Sequence, residues 1–251
     1  MIIVWITTAA LVLVGEASNK YCMSSKLTAL TKFHKELNPE LWKNNQLDLQ
    51  VRYKLLQIAL EFIKYINIDD LDLEDITISG SNCSFNYTPQ SDIDLHLVVD
   101  SSSPCWPHLQ ELYMAKKSLF NDNHDITIQG QPVEVYVQDS QQQHFSNGIF
   151  SVLNNQWKKK PQPISAKIDR TNVLDKYRDV KRQLQKVIKN GDQDEMKNMQ
   201  EKLRNMRKQG LAKHGEFGTE NLVFKLLRRD GSMDRLWKKQ QKTLDNHLSL
   251  D

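Results

Sequence analysis

The fold turns on one stretch: Ile76-Thr77-Ile78-Ser79-Gly80-Ser81, then ten residues, then Asp92-Ile93-Asp94-Leu95-His96-Leu97-Val98-Val99-Asp100. Ile76 and Ile78 alternate with Thr77 and Ser79, and the run stops at Gly80. In the second segment Ile93, Leu95, Leu97 and Val99 fall on one face, while Asp92, Asp94, His96 and Asp100 fall on the other. A period of two is that of a strand, so two strands are predicted, each with an apolar and a polar face.

Upstream, Leu55, Ile58, Ala59, Phe62, Ile63 and Ile66 recur at helical spacing, which predicts a helix from about Asp48 to Ile66. A turn-like acidic stretch, Asp69 to Asp75, follows it. Downstream, a helix is predicted from about Pro107 to Phe120, with Leu109, Leu112 and Leu119 as its apolar residues. Ile126 and Ile128 then make a strand, Gly130-Gln131-Pro132 a turn, and Val133, Val135 and Val137 another strand that turns Glu134 and Tyr136 the opposite way. Helix, strand, strand, helix, strand, strand is an α/β (α+β) order with a small mixed sheet. It is assigned to residues 48–156, after an apolar and helical extension over 1–47.

Residues 157–251 read differently. After Lys158-Lys159-Lys160-Pro161-Gln162-Pro163, taken as a linker, the pattern is helical throughout. Val173, Tyr177, Val180, Leu184 and Val187 step by four and three, Asn190-Gly191-Asp192 is a turn, and Met196, Met199, Leu203 and Met206 resume the stepping. Further helices are predicted over 219–229 and 232–248, the latter with Ser232 as N-cap. Charge divides along the same line. Residues 1–156 hold 10 Lys/Arg against 18 Asp/Glu, and residues 157–251 hold 24 against 13. The last part is therefore a basic, all-helical domain, and a basic surface suits a polyanion such as RNA or tRNA. Lys158, Lys159, Lys160, Arg204, Arg207 and Lys208 are its candidate nucleic-acid contacts.

Three widely spaced cysteines, Cys22, Cys83 and Cys105, make neither a disulfide framework nor a zinc signature. Met1 to Val14 is apolar but too short to span a bilayer as a helix. No Lys or Arg precedes it, so the basic start of a signal peptide is missing, although Gly15-Glu16-Ala17 resembles a cleavage site. The expected location is the cytoplasm, without a membrane partner. The sequons at Asn82 and Asn86 would matter only in an exported protein.

The chemistry lies on the polar strand faces. Asp92 and Asp94, two apart, point the same way, and close carboxylates repel. A divalent cation between them removes the conflict, and hard oxygen ligands suit Mg²⁺ or Mn²⁺. If the strand of Glu134 neighbours theirs in matched register, Glu134 joins the pair, and three carboxylates can hold two ions for phosphoryl transfer. Gly80 lets the backbone approach a ligand, and Ser81 offers a hydroxyl to a phosphate, with Asn82, Ser84, Asn86 and Thr88 as further donors.

These residues resemble the signature of the DNA polymerase β-type nucleotidyltransferase superfamily: an apolar residue, Gly-Ser, a spacer of about ten, an Asp-x-Asp between apolar residues, and a later acidic strand residue. Ile78-Ser79-Gly80-Ser81, Asp92-Ile93-Asp94-Leu95 and Val133-Glu134-Val135 are the matching segments. More loosely, 76–100 and 133–157 look like phage-encoded members of that superfamily. The resemblance implies an α/β catalytic domain that moves a nucleoside monophosphate from an NTP to an acceptor and releases pyrophosphate. It implies that Gly80, Ser81, Asn82 and Ser91 hold the nucleotide, that Asp92 and Asp94 bind metal, and that Glu134 is the third carboxylate, contacting one metal, and the candidate base for the acceptor hydroxyl. Glu134 departs from the commoner Asp at that position.

Other readings stand beside this one. An Asp-x-Asp on an amphipathic strand is often only a solvent face. A calcium loop over 92–103 fits poorly, because Leu97 stands where the turn glycine belongs and Ser103 where the bidentate Glu belongs. A catalytically inactive nucleic-acid-binding module, or a toxin–antitoxin or defence component, would share the fold without turnover.

Overall fold

The structure, a computed structural model, describes residues 23–68, 72–102, 106–163 and 167–250. The apolar segment at 1–17, with Cys22 and Cys105, lies outside the described residues. Two compact units divide the chain: Lys32–Ser165, and Met1–Thr31 with Ala166–Asp251.

The first unit is built on a mixed sheet. Its elements are β1 (Trp42–Lys43), β2 (Gln46–Leu47), α2 (Leu49–Ile66), β3 (Leu73–Ser79), β4 (Ile93–Val99), α3 (Trp106–Asn123), β5 (Thr127–Ile128), β6 (Gln131–Asp139), β7 (Ile149–Ser151) and β8 (Gln156–Lys159); α1, over residues 23–30, belongs to the second unit. β1 and β2 form a separate hairpin, and the six-stranded sheet runs β5-β6-β4-β3-β7-β8. β4 and β6 are parallel and the other pairs antiparallel. A parallel pair needs a long crossover, and α3 supplies it.

Local chemistry explains these elements. Asp48 caps α2 by accepting hydrogen bonds from the N–H groups of Gln50 and Val51. The helix stops at Asn67, which adopts the left-handed conformation. Between them Val51, Leu55, Ala59, Phe62 and Ile66 are buried in one core with Ile76, Ile78, Ile93, Leu95, Leu97, Val99, Val133 and Val135. The apolar sheet face is thus committed to that core, and the opposite face carries Ser79, Asp94, His96, Glu134 and Tyr136. Beyond β5 the edge of β6 is held by Asn121. Its Nδ2 donates to the Val135 carbonyl at 3.1 Å and its Oδ1 accepts from the Val135 N–H at 3.0 Å. A side-chain amide thereby replaces the missing strand.

Several expectations change. The acidic stretch does not stay a turn to Asp75, because Leu73–Asp75 are already strand. Tyr113 and Phe120 are the buried anchors of α3, while Leu112 and Leu119 are exposed. Lys158 and Lys159 are not linker residues but part of β8, which pairs with β7.

The second unit is helical: α1, α4 (Arg170–Asn190), α5 (Gln193–His214), α6 (Thr219–Arg229) and α7 (Ser232–Leu248). Leu27, Tyr177, Leu184, Met196, Leu203, Leu222, Leu226 and Leu236 are among the residues of its core. Gly191, with φ +73°, ends α4 at the expected turn. Ser232 is not the N-cap of α7. Gly231 takes that place, and the Ser232 N–H is held by Asp230 Oδ1 at 2.8 Å. Among the described residues no helix is long and apolar enough to cross a membrane.

Candidate metal centre

Strand register assembles the site. β4 and β6 pair with Asp94 opposite Glu134, which is the matched register that the third carboxylate requires. β3 and β4 pair with Ser79 opposite Asp94, so β3 ends beside the same carboxylate. Asp92, Asp94 and Glu134, all half-buried, each offer a carboxylate oxygen within 4.8 Å of the others. Three carboxylates this close repel unless something positive sits among them. The donors are all hard oxygens, the set that suits an oxygen-seeking divalent cation, so the triad can hold a metal ion.

Gly80 is shaped by this triad. It has φ +80° and ψ −161°, a region open essentially only to glycine. A Cβ there would lie 2.2 Å from Asp94 Oδ2. What approaches Gly80 so closely is thus the Asp94 carboxylate of its own chain. Its N–H donates to Ser146 Oγ at 3.0 Å, and Ser146 Oγ donates in turn to the Gly148 carbonyl at 2.9 Å.

The connector between the strands is pinned by Asn82. This residue was expected to face the nucleotide, but it is buried, and its amide is occupied within the chain. Nδ2 donates to the carbonyls of Asp92 (2.8 Å) and Ser91 (3.3 Å) and to Gln131 Oε1 (3.0 Å), and Oδ1 accepts from Asn38 Nδ2 at 3.0 Å. An amide has two N–H donors, so none remains for a ligand. Asn82 instead fixes the main chain of Asp92. Ser91 is likewise buried, and its Oγ accepts from Ser81 Oγ (2.8 Å) and from the Thr88 N–H (2.9 Å). Asn86 is as buried as Asn82, which closes both sequons in the folded chain.

Past Glu134, on the same strand face, lies Tyr136, to which the sequence alone gives no role in the site. The Tyr136 hydroxyl donates to Glu134 Oε2. Burial, with the negative charges of Asp94 and Glu134, pushes the Tyr136 phenol up, so it stays protonated and a donor. His96 stacks on Tyr136 at 5.1 Å and its Nε2 meets Ser79 Oγ at 3.0 Å. Burial, His144 and Lys117 bring His96 down to about 3, which keeps it neutral at pH 7. The Cys83 thiol, buried and facing the charge of Asp94, is pushed up and is no nucleophile. The alternation of β6 already put Tyr136 on the face of Glu134. Nothing in the sequence signalled Ser146 or Asn121.

The basic candidates fall in both units, Lys158, Lys159 and Lys160 in the sheet unit and Arg204, Arg207 and Lys208 in the helical one. Lys158 pairs with Asp75 at 3.1 Å, and Lys159 Nζ donates to the Ser146 carbonyl at 2.7 Å, so it braces the residue that receives Gly80. Lys160 is exposed. Arg204, Arg207 and Lys208 are exposed on α5 in the helical unit, with the Arg207 guanidinium 4.8 Å from the Phe224 ring centre.

Comparison with protein-family models, with curated proteins and with solved structures found no match.

Proposed function

We propose that the sheet unit is a metal-dependent nucleotidyltransferase, moving a nucleoside monophosphate from an NTP to an acceptor hydroxyl, with an RNA or tRNA 3′ end the favoured acceptor. The observation that carries this reading is the convergence of Asp92, Asp94 and Glu134, brought together by strand register beside a strand that ends at Gly80. Asp92, Asp94 and Glu134 would hold Mg²⁺ or Mn²⁺, two ions when the NTP is bound. Such ions neutralise phosphate charge and make the acceptor hydroxyl more acidic.

The chain's own residues have distinct tasks. Glu134 takes the proton of the acceptor hydroxyl as its oxygen bonds to the α-phosphorus. The bond from that phosphorus to the bridging oxygen breaks, and pyrophosphate leaves. Tyr136 holds one oxygen of Glu134 and so orients the carboxylate. Ser81, at the turn after Gly80, meets the triphosphate once its hydroxyl releases Ser91. Asn82 and Ser91 support this turn from within rather than touch the nucleotide.

The test is pyrophosphate release from each NTP, with Mg²⁺ or Mn²⁺, in the presence of total RNA, tRNA or lysate. Turnover by the wild type and none by Asp94→Asn supports the proposal. No turnover with any NTP, metal or acceptor refutes it.

A further inference from the structure

Beyond Tyr136, on the β6 side of the sheet, a cavity of about 470 Å³ is lined by residues of β4, β6, α3 and the loop at 142–145. That volume is within the roughly 300–1,000 Å³ of small-molecule sites. Its walls are aromatic, with His96, Trp106, Tyr113, Tyr136 and Phe145 among them, and four glutamines stand around it. Among the described residues that line it, one, Lys117, is a Lys or Arg, with its Nζ 4.3 Å from the Tyr136 ring centre, and none is a carboxylate.

Two polar atoms of this lining are buried without a hydrogen-bond partner: His96 Nδ1 and Gln138 Oε1. A buried polar atom left unpaired costs about 1–3 kcal/mol, and a turn of either side chain into the cavity would let a ligand meet it. Aromatic walls suit a flat ring, and the amides and imidazole suit a ring with hydrogen-bonding edges. A planar heteroaromatic ring with donors and acceptors on its rim is a nucleobase.

Position then separates donor from acceptor. In the order β6-β4-β3, Gly80 ends β3 on one flank of the carboxylates, whereas the cavity lies on the β6 flank, past Glu134. With the triphosphate at the Gly80 turn, the cavity faces the other partner of the transfer.

We propose that this cavity is a nucleobase-binding subsite that seats the acceptor nucleotide beside Glu134. The acceptor assignment rests on nucleotidyl transfer as the reaction, but binding of the base does not.

The experiment titrates full-length protein with adenosine, guanosine, cytidine and uridine in EDTA, by calorimetry. Saturable binding of at least one nucleoside is expected. Phe145→Ala, at an exposed wall position where folding is not at risk, should weaken it at least ~5-fold, in the range of one lost base–aromatic stack. Gln138→Leu should weaken it as well. An Asp92→Asn/Asp94→Asn variant should keep nucleoside binding while losing turnover, so failure of the chemistry and failure of the subsite give different results. Absence of binding up to millimolar nucleoside, or affinity untouched by both cavity variants, overturns the subsite. Displacement of the bound nucleoside by NTP carrying the same base, in wild type with metal, overturns the acceptor assignment.

Discussion

Replacing Gly80 with alanine should damage fold and metal site together, through Asp94. Alanine at φ +80° and ψ −161° costs about 1–3 kcal/mol from the backbone alone. Its Cβ would also sit 2.2 Å from Asp94 Oδ2, well inside the ~3.5 Å of a comfortable contact. The carboxylate must then turn off its rotamer, at about 0.5–1.5 kcal/mol. Together these give a loss of roughly 1.5–4.5 kcal/mol. In an Asp94→Ala background the oxygens are gone, and the next atom of residue 94, its Cβ, lies 4.0 Å away, an ordinary contact. The same Gly80→Ala change should therefore cost about 0.5–1.5 kcal/mol less there. Urea denaturation of the four proteins in EDTA measures this coupling, and Mn²⁺ titration of the wild type and Gly80→Ala measures the site. Mn²⁺ affinity should fall at least ~10-fold in Gly80→Ala, since one hard ligand is turned aside. Equal costs in both backgrounds, or unchanged Mn²⁺ affinity, would refute the link between Gly80 and Asp94.

Asp92→Asn and Asp94→Asn are each expected to abolish NTP turnover while leaving metal-free stability unchanged or higher, because crowded negative charge is relieved; a clear loss of Tm in EDTA would argue against the carboxylate cluster as a metal site. Glu134→Gln should keep NTP binding but slow transfer at least ~100-fold, as for loss of a general base or metal ligand, and near wild-type kcat would remove Glu134 from the reaction. In the helical unit, the hydrogen bond from Lys176 holds the Glu220 carboxyl below its ordinary value of 4.5. A depressed carboxyl contributes stability that is fully present above its ordinary value and is lost as pH falls below it through the lowered folded value, so Lys176→Ala should destabilise at pH 7 and progressively less as pH falls below 4.5, which denaturation across that range would show. RNA binding should fall with salt on a log–log slope equal to at least ~3 phosphate contacts, and Arg204→Ala/Arg207→Ala/Lys208→Ala should flatten it; filter binding at several salt concentrations decides this.

Much of the fold was legible because one-sided burial imposes a period. β4 shows it most clearly, since Ile93, Leu95, Leu97 and Val99 enter the core while Asp94 and His96 do not. α2 was legible at both ends, from Asp48 through the buried residues up to Ile66. The two short hairpins were missed although their turns carried a signal. Asn44 and Asn45 both have positive φ between β1 and β2, and Asn155 has it between β7 and β8. Asparagine tolerates that conformation, but strands of two to four residues have too few alternations to register as a period. α3 misled for a different reason. Its true anchors, Tyr113 and Phe120, are one large residue per two turns; Leu109 packs against the same core, but Leu112 and Leu119 lie off that line.

The site was legible only where side chains follow strand alternation. Asp92, Asp94 and Glu134 were found that way, and Tyr136 lay on the same face by the same rule. Asn82, Ser146 and Lys159 act through contacts between loops and strands distant in sequence, where no period exists to be read. Gly80 shows the limit most sharply. A glycine ending a strand says that something comes close to the backbone, and a phosphate was the natural expectation. It is the Asp94 carboxylate that stands there, 2.2 Å from where a Cβ would be. The glycine therefore serves the metal site before it serves any nucleotide: it leaves room for a carboxylate to stand in line with its neighbours, and a triphosphate can meet only the remaining side of the turn.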